Sequence, residues 1–182
     1  MQNDGEIISR ILGGDLDSFR LLVKQYERLV ICMVNRVVQQ QEDRDDVCQE
    51  VFIKVYKNLN RFRFQSKLST WIAQIAYSTA LNHLKKISGK KGLTSDISNF
   101  ENYHQATDNP ESILLKKNAS LFIQNEISKL PVQYRTVITL YHLNEMSYHE
   151  IGEITGIPEG TVKNYLFRAR RLLKDKLEQY FK

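Results

Sequence analysis

The chain lacks the residues that staple small folds together. It has only two cysteines, Cys32 and Cys48, among 182 residues. They form no CxxC pair and have no histidine at ligand spacing, which argues against a disulfide framework or a zinc module and fits reduced thiols. The four histidines (His83, His104, His142 and His149) make no metal motif. Long apolar runs are also absent. The longest, Leu29 to Val34, falls far short of the roughly 20 residues that span a bilayer. The opening MQNDGEIISR has no apolar signal core. The expectation is a soluble, cytoplasmic protein with no membrane insertion of its own. No stretch alternates with a period of two, so strands are not expected. P-loop, G-x-S-x-G and zinc signatures are missing, as is any spaced pair of buried acids. No enzyme, no catalytic residues, no cofactor and no metal are therefore expected.

What is present is helical periodicity and a concentrated positive charge. The net charge is +5 and the pI about 9.1. Between Lys163 and Lys176 stand six basic residues (Lys163, Arg168, Arg170, Arg171, Lys174 and Lys176) against one acid, Asp175. Such a block suits phosphate contacts and counterion release. It lies directly on a sequence-level helix-turn-helix, SYHEIGEITGIPEGTVKNYLFRAR, at 147–170. Ser147 and Glu150 have capping-box spacing. Ile151 and Ile154 follow on one face, and Gly156 stands where a helix must stop and turn. Pro158 pre-sets φ for the next helix start. That second helix turns Val162 and Leu166 inward and Lys163, Asn164 and Arg168 outward, the arrangement of a recognition helix for the major groove.

The rest reads as helix after helix. Residues 5–12 form a short one, broken at Gly13-Gly14, with Asp15 or Asp17 available to cap the next. Phe19, Leu22, Val23, Tyr26, Leu29, Val30, Met33, Val34 and Val37 make one apolar stripe. A third helix begins near the acids Glu42, Asp43, Asp45 and Asp46, with Val47, Val51, Val55 and Leu59 inward. A loop, NRFRFQSKL, covers 60–68. Ser69 is the expected cap of a fourth helix running to about Ile87, with Ile72, Ala76, Ala80, Leu84 and Ile87 on one side and Trp71, Gln74, Ser78, Asn82 and Lys85 on another. Residues 88–109 are rich in Ser, Asn, Asp and Gly without periodicity and read as a flexible linker. Asn109-Pro110-Glu111 resembles a helix start. Leu114, Leu115, Phe122, Ile123, Ile127 and Leu130 supply that helix's apolar face, and Pro131 is expected to end it. Val132 to Leu143 makes one more helix before the helix-turn-helix. The fold class is all-α: two small helical domains, 1–87 and 110–182, joined by the linker 88–109.

In that order, the acidic helix DRDDVCQEVFIKVYKNL at 43–59, the aromatic-basic loop, STWIAQIAYSTALNHLKK at 69–86, the linker and the C-terminal helix-turn-helix resemble an extracytoplasmic-function sigma factor of the sigma-70 superfamily. The resemblance covers nearly the whole chain and makes the first domain sigma region 2 and the second region 4. It implies that Asp45, Asp46, Gln49 and Glu50 dock on the β′ clamp helices of core RNA polymerase, with a further contact to the β flap. Exposed carboxylates and an amide suit basic side chains on a partner helix. The resemblance also implies that the loop and the following helix melt and read the −10 promoter element through Arg61, Phe62, Arg63, Phe64, Lys67, Trp71, Asn82 and Lys85. Cations there would meet phosphates and aromatic faces an unstacked base. For Phe62, Phe64 and Trp71, core packing is the competing reading. The resemblance places Thr161, Lys163, Asn164 and Arg168 on the −35 element. Family members commonly carry Arg where this chain has Lys163, which weakens bidentate base reading there. Promoter DNA and an anti-sigma factor complete the implied partners. A conventional helix-turn-helix regulator is the alternative. It accounts for the C-terminal part but leaves the acidic helix and STWIAQIA without a purpose.

Overall fold

The computed structural model describes residues 4–90 and 115–180. It has eight α-helices and one 3-10 turn among these residues, and no strand. Contacts divide the chain into two compact units. Helices α1–α4 belong to one; α5, α6, α8 and α7 as far as Gly152 belong to the other.

In the first unit, α1 (Asp4–Leu12) leads through Gly13-Gly14 into α2 (Leu16–Val37). Gly14 has φ +94, which only glycine adopts cheaply. Asp15 is the cap of α2. Its carboxylate accepts from the Asp17 and Ser18 amides, the Ser18 hydroxyl and the Arg10 guanidinium. These bonds, that from the Ser18 hydroxyl first, hold its pKa down at about 2. The expected stripe on α2 is inside: Leu22, Val30, Met33, Val34 and Val37 are buried. Arg44 then closes the corner between α2 and α3 (Gln41–Asn58) by donating to the carbonyls of Val38 and Gln39. These carbonyls stand at the end of α2, where no further helical turn supplies donors. Val47, Val51 and Val55, four residues apart, are sealed against the unit's interior.

A 3-10 turn at Leu59–Arg61 leads to α4 (Leu68–Lys90). Helix α4 packs on both α2 and α3. Two expectations need correcting here. Ser69 is not the cap of α4, because the helix already includes Leu68, which is buried, and the Trp71 amide bonds the Lys67 carbonyl. The gain from burying Leu68 outweighs the weak capping preference of a serine one place on. Helix α4 also continues through 88–90, so the linker cannot begin at 88. The hydrogen-bond ladder carries the helix past the point that composition alone marks as irregular. The remainder of the expected linker and the Asn109-Pro110-Glu111 start lie outside the described residues.

In the second unit, α5 (Leu115–Ser128) and α6 (Val132–His142) pack on α8 (Glu159–Tyr180), and α7 (Tyr148–Thr155) lies between α6 and α8 in sequence. Pro131 does not end α5, which stops at Ser128. Instead Pro131 is the cap of α6, its carbonyl accepting from the Arg135 amide. Arg135 is itself buried and donates to the Ser128 carbonyl at 2.6 Å, so a buried guanidinium closes the open end of α5. Val162, Leu166, Ala169 and Leu173 form the buried edge of α8.

Candidate nucleic-acid interface and polymerase-docking face

The acidic face follows from the helical repeat. With Val47, Val51 and Val55 turned inward, Asp45, Asp46, Gln49 and Glu50 are all left exposed on α3. Glu50 is already engaged by Lys54 at 2.7 Å, and the same ammonium reaches the Thr79 hydroxyl on α4 at 3.2 Å. Asp43, from the same acid cluster, is turned towards α4, where its carboxylate lies 3.3 Å from His83 Nε2.

The aromatic-basic loop brings three rings together. Phe62 packs on Phe64 at 4.8 Å between centroids and on Trp71 at 5.3 Å. Their exposures differ sharply. Phe62 is 9% exposed, Trp71 is half-buried, and Phe64 is 59% exposed. Phe62 is therefore the support under the other two rings and presents no face of its own, a correction to its expected place on the DNA surface. Burial of its ring against Trp71 decides this, and that packing is not local to the loop. Phe64 has φ +55, a conformation that costs a bulky residue on the order of 1–3 kcal/mol and that clusters at functional sites. Arg61, Arg63 and Lys67 are exposed around the rings, and Asn82 and Lys85 continue the outer side of α4.

The helix-turn-helix is built as its sequence indicates. The Ser147 amide donates to the Glu150 carboxylate at 2.9 Å, and the Glu150 amide donates to the Ser147 hydroxyl at 3.2 Å, a reciprocal capping box. Gly156 has φ +73. The Thr161 and Val162 amides bond the Pro158 carbonyl and start α8. Gly152 is a further requirement that the sequence reading missed. A Cβ there would stand 3.1 Å from the Ile157 carbonyl oxygen, so a side chain would press on the turn and require it to give by a few tenths of an ångström.

On α8, Asn164 and Arg168 are exposed and Thr161 is half-buried. Lys163, also exposed, pairs with Glu159 at 3.1 Å and lies over the Tyr148 ring at 5.3 Å. Arg168 reaches the Tyr134 hydroxyl at 3.5 Å; that bond raises its pKa further. Tyr134 meets Tyr165 edge-on. Behind them, Tyr141 stacks on Tyr148 with an interplanar angle of 12°. Arg170 covers the Tyr141 ring at 5.2 Å and bonds His142 Nε2 at 3.1–3.2 Å. Burial, and then the Arg170 charge, push the His142 pKa down. The sequence reading also missed Phe167, which is 67% exposed and lies three residues from Asn164 on the outer side of α8. An exposed Phe inside a basic recognition helix was the available signal.

Among the described residues no group of His, Cys, Asp and Glu is placed to hold a metal. No described helix is long and apolar enough to cross a membrane.

A helix-turn-helix whose second helix exposes basic side chains is the architecture of a DNA-binding module. Comparison with known proteins makes the class specific. Residues 22–89 match the family model "Sigma-70 region 2", and residues 123–173 match "Sigma-70, region 4". The chain is 36% identical over 182 residues to the ECF RNA polymerase sigma-E factor of Haemophilus influenzae, covering 96% of this chain and 95% of that protein. It is 33% identical over 184 residues to the RNA polymerase sigma-H factor of Pseudomonas aeruginosa, covering 97% and 95%. In fold it is similar to CnrH, solved in complex with the cytosolic domain of CnrY, with a TM-score of 0.68, 18% identity and 97% of each chain covered. It is likewise similar to the sigma factor RpoE of Bartonella quintana, solved with the anti-sigma factor NepR, with a TM-score of 0.67, 18% identity and 88% and 96% covered. The chain belongs to the extracytoplasmic-function group of the sigma-70 family of RNA polymerase sigma factors. Its function is promoter-directed initiation of transcription. A stand-alone helix-turn-helix regulator would leave the match over 22–89 unexplained.

Proposed function

We propose that three surfaces divide this work. The outer face of α3, with Asp45, Asp46, Gln49 and Glu50, docks on the β′ clamp helices of core polymerase, and the second unit makes a further contact with the β flap. Phe64 and Trp71, held by Phe62 and flanked by Arg61, Arg63 and Lys67, take up an unstacked base of the −10 element. Asn82 and Lys85 extend this contact upstream. Thr161, Lys163, Asn164 and Arg168 meet the −35 element in the major groove, and Phe167 offers an apolar face to a thymine methyl. The chain performs no catalytic step of its own and acts in the cytoplasm, where an anti-sigma protein holds it inactive. The solved complex of the RpoE relative with NepR supports that last partner.

The observation that carries the reading is the contrast around Phe64. Its strained backbone directs a large ring into solvent while its neighbour Phe62 is buried. Base edges in a duplex are read by polar groups, whereas a flat apolar face suits a base that has left the stack. The test is transcription in vitro with purified core polymerase on a duplex promoter and on the same promoter with a preformed bubble over the −10 element. The intact protein directs initiation on both. Phe64→Ala fails mainly on the duplex. Equal defects on both templates would remove Phe64 from strand opening.

A further inference from the structure

Arg168 does not stand alone on the outer side of α8. Its Nη1 donates to the phenol oxygen of Tyr134 at 3.5 Å, and Tyr134 belongs to α6. The Tyr134 ring is half-buried and meets Tyr165, also half-buried, edge-on with centroids 5.2 Å apart. Tyr165 stands three residues before Arg168, one turn back along the same side of α8. Two half-buried rings thus fix where the phenol oxygen sits, and that oxygen restrains one end of the guanidinium. The bond is long, so it guides the side chain and yields to a stronger acceptor. An anionic oxygen is such an acceptor.

The tie draws Arg168 off the axis of α8 and towards α6, which packs on α8. In a helix-turn-helix the second helix enters the major groove, and elements packed behind it stay outside. A guanidinium leaning on such an element meets the wall of the groove before its floor. The wall is sugar and phosphate. The phenol adds a second group there. Accepting from Arg168 leaves its own O–H available to donate, and a phosphate oxygen can take that bond beside one from the guanidinium.

We propose that Tyr134 and Arg168 form a clamp for one phosphodiester group of the −35 element, with Tyr134 as both a phosphate ligand and the positioning residue for Arg168. This rests on the placement of α8 on that element. The clamp sets register along the DNA and carries no base information. Restraint before binding leaves the arginine less rotamer freedom to lose on contact. Sequence preference then falls to the earlier residues of α8: Thr161, Lys163 and Asn164.

The test uses holoenzyme assembled from the full-length chain and purified core polymerase. It measures affinity for promoter DNA whose −35 phosphates are made neutral one at a time as methylphosphonates. One phosphate is expected to matter to the unsubstituted chain and not to Arg168→Ala. Tyr134→Phe keeps the ring and its contact with Tyr165 and removes only the hydroxyl. It is expected to weaken binding about three- to tenfold, equally on all −35 sequences, and to lose most of its sensitivity to that same phosphate. Arg168→Ala is expected to weaken binding about tenfold and to lower the salt slope by about one. Arg168 is exposed, so its variant keeps the fold and its phosphate readout stands even where Tyr134→Phe is less stable. A loss in Arg168→Ala confined to one base pair overturns the clamp and makes the residue a base reader. Equal sensitivity of Tyr134→Phe and the unsubstituted chain to every phosphate overturns the role of Tyr134. Full affinity of both variants, beside weakened binding by Asn164→Ala, overturns the clamp and leaves α8 on the −35 element. Full affinity of all three overturns both.

Discussion

The two units present aromatic rings in opposite ways. In the first, Phe62 packs against both Phe64 and Trp71, and Phe64 keeps most of its surface in solvent. In the second, Tyr141 and Tyr148 are stacked, and Arg170 and Lys163 lie over their faces. A ring with an open face can accept a base. A ring covered by a cation instead fixes the direction of that cation, at a gain of roughly 0.5–1 kcal/mol at an exposed site. Under the proposed function, the first arrangement would receive unpaired bases and the second would hold charges against a closed duplex. Single substitutions can break or sharpen that contrast, and the acidic face of α3 provides the outer reference for it.

The largest effect is expected where neither kind of ring is involved. Asp46→Lys combined with Glu50→Lys should reduce capture of core polymerase by about a hundredfold or more, with helicity kept because both residues are exposed. Unaltered pull-down would remove the acidic face from docking.

In the first unit, Phe64→Gly and Phe64→Ala both delete the ring, and only Gly relieves the positive φ. Both should lower initiation on duplex promoters by about tenfold, in line with stacking of roughly 1–3 kcal/mol, and recover in part on a bubble template. The Gly variant should melt at a higher temperature than the Ala variant, by about 1 kcal/mol in stability. If Ala is the more stable of the two, the backbone at Phe64 is not strained.

In the second unit, Arg168→Ala should weaken binding to the −35 element by about 1–3 kcal/mol with relaxed preference at one base pair, if the guanidinium reads a base. A uniform loss over all sequences, with a salt slope smaller by about one, would mark a phosphate contact instead. Unchanged use of −35 mutant promoters and unchanged affinity together would exclude Arg168 from the interface. Gly156→Ala should cost about 1 kcal/mol in thermal stability through its φ of +73 and weaken −35 binding with it.

The smallest effect concerns His142, which accepts from Arg170. Its pKa is lowered in the folded state, so the unfolded chain takes up the proton first. Stability is therefore retained above the ordinary histidine range near 6.5 and declines as pH falls below it. Thermal melting between pH 7.5 and 5.5 should show a shallower decline in His142→Gln than in the unsubstituted chain. Identical slopes would mean that the Arg170 contact does not distinguish the two protonation states.

Much of this molecule was legible in the sequence because its determinants are local. The Ser147–Glu150 box, the turn at Gly156 and the inward repeat of Val47, Val51 and Val55 each act within about one helical turn, so spacing alone displays them. The order of the acidic helix, the loop and the basic helix likewise pointed to the family before any coordinates. Errors arose where a local preference met a tertiary demand. Leu68 joined α4 because it is buried, and Pro131 caps α6 while α5 stops three residues earlier. Phe62 and Phe64 are two residues apart and chemically identical, yet one is core and the other surface. No pattern in the loop distinguishes them, because Trp71 on the next helix decides which ring is covered. The cation–ring pairs are likewise invisible along the chain. Tyr141 and Arg170 are 29 positions apart and meet only because α6 packs on α8. Periodicity and caps thus determined the helices and their inner faces. Which outward side chains are shielded, stacked or left open was decided by packing between helices, since burial is a property of the neighbour as much as of the residue.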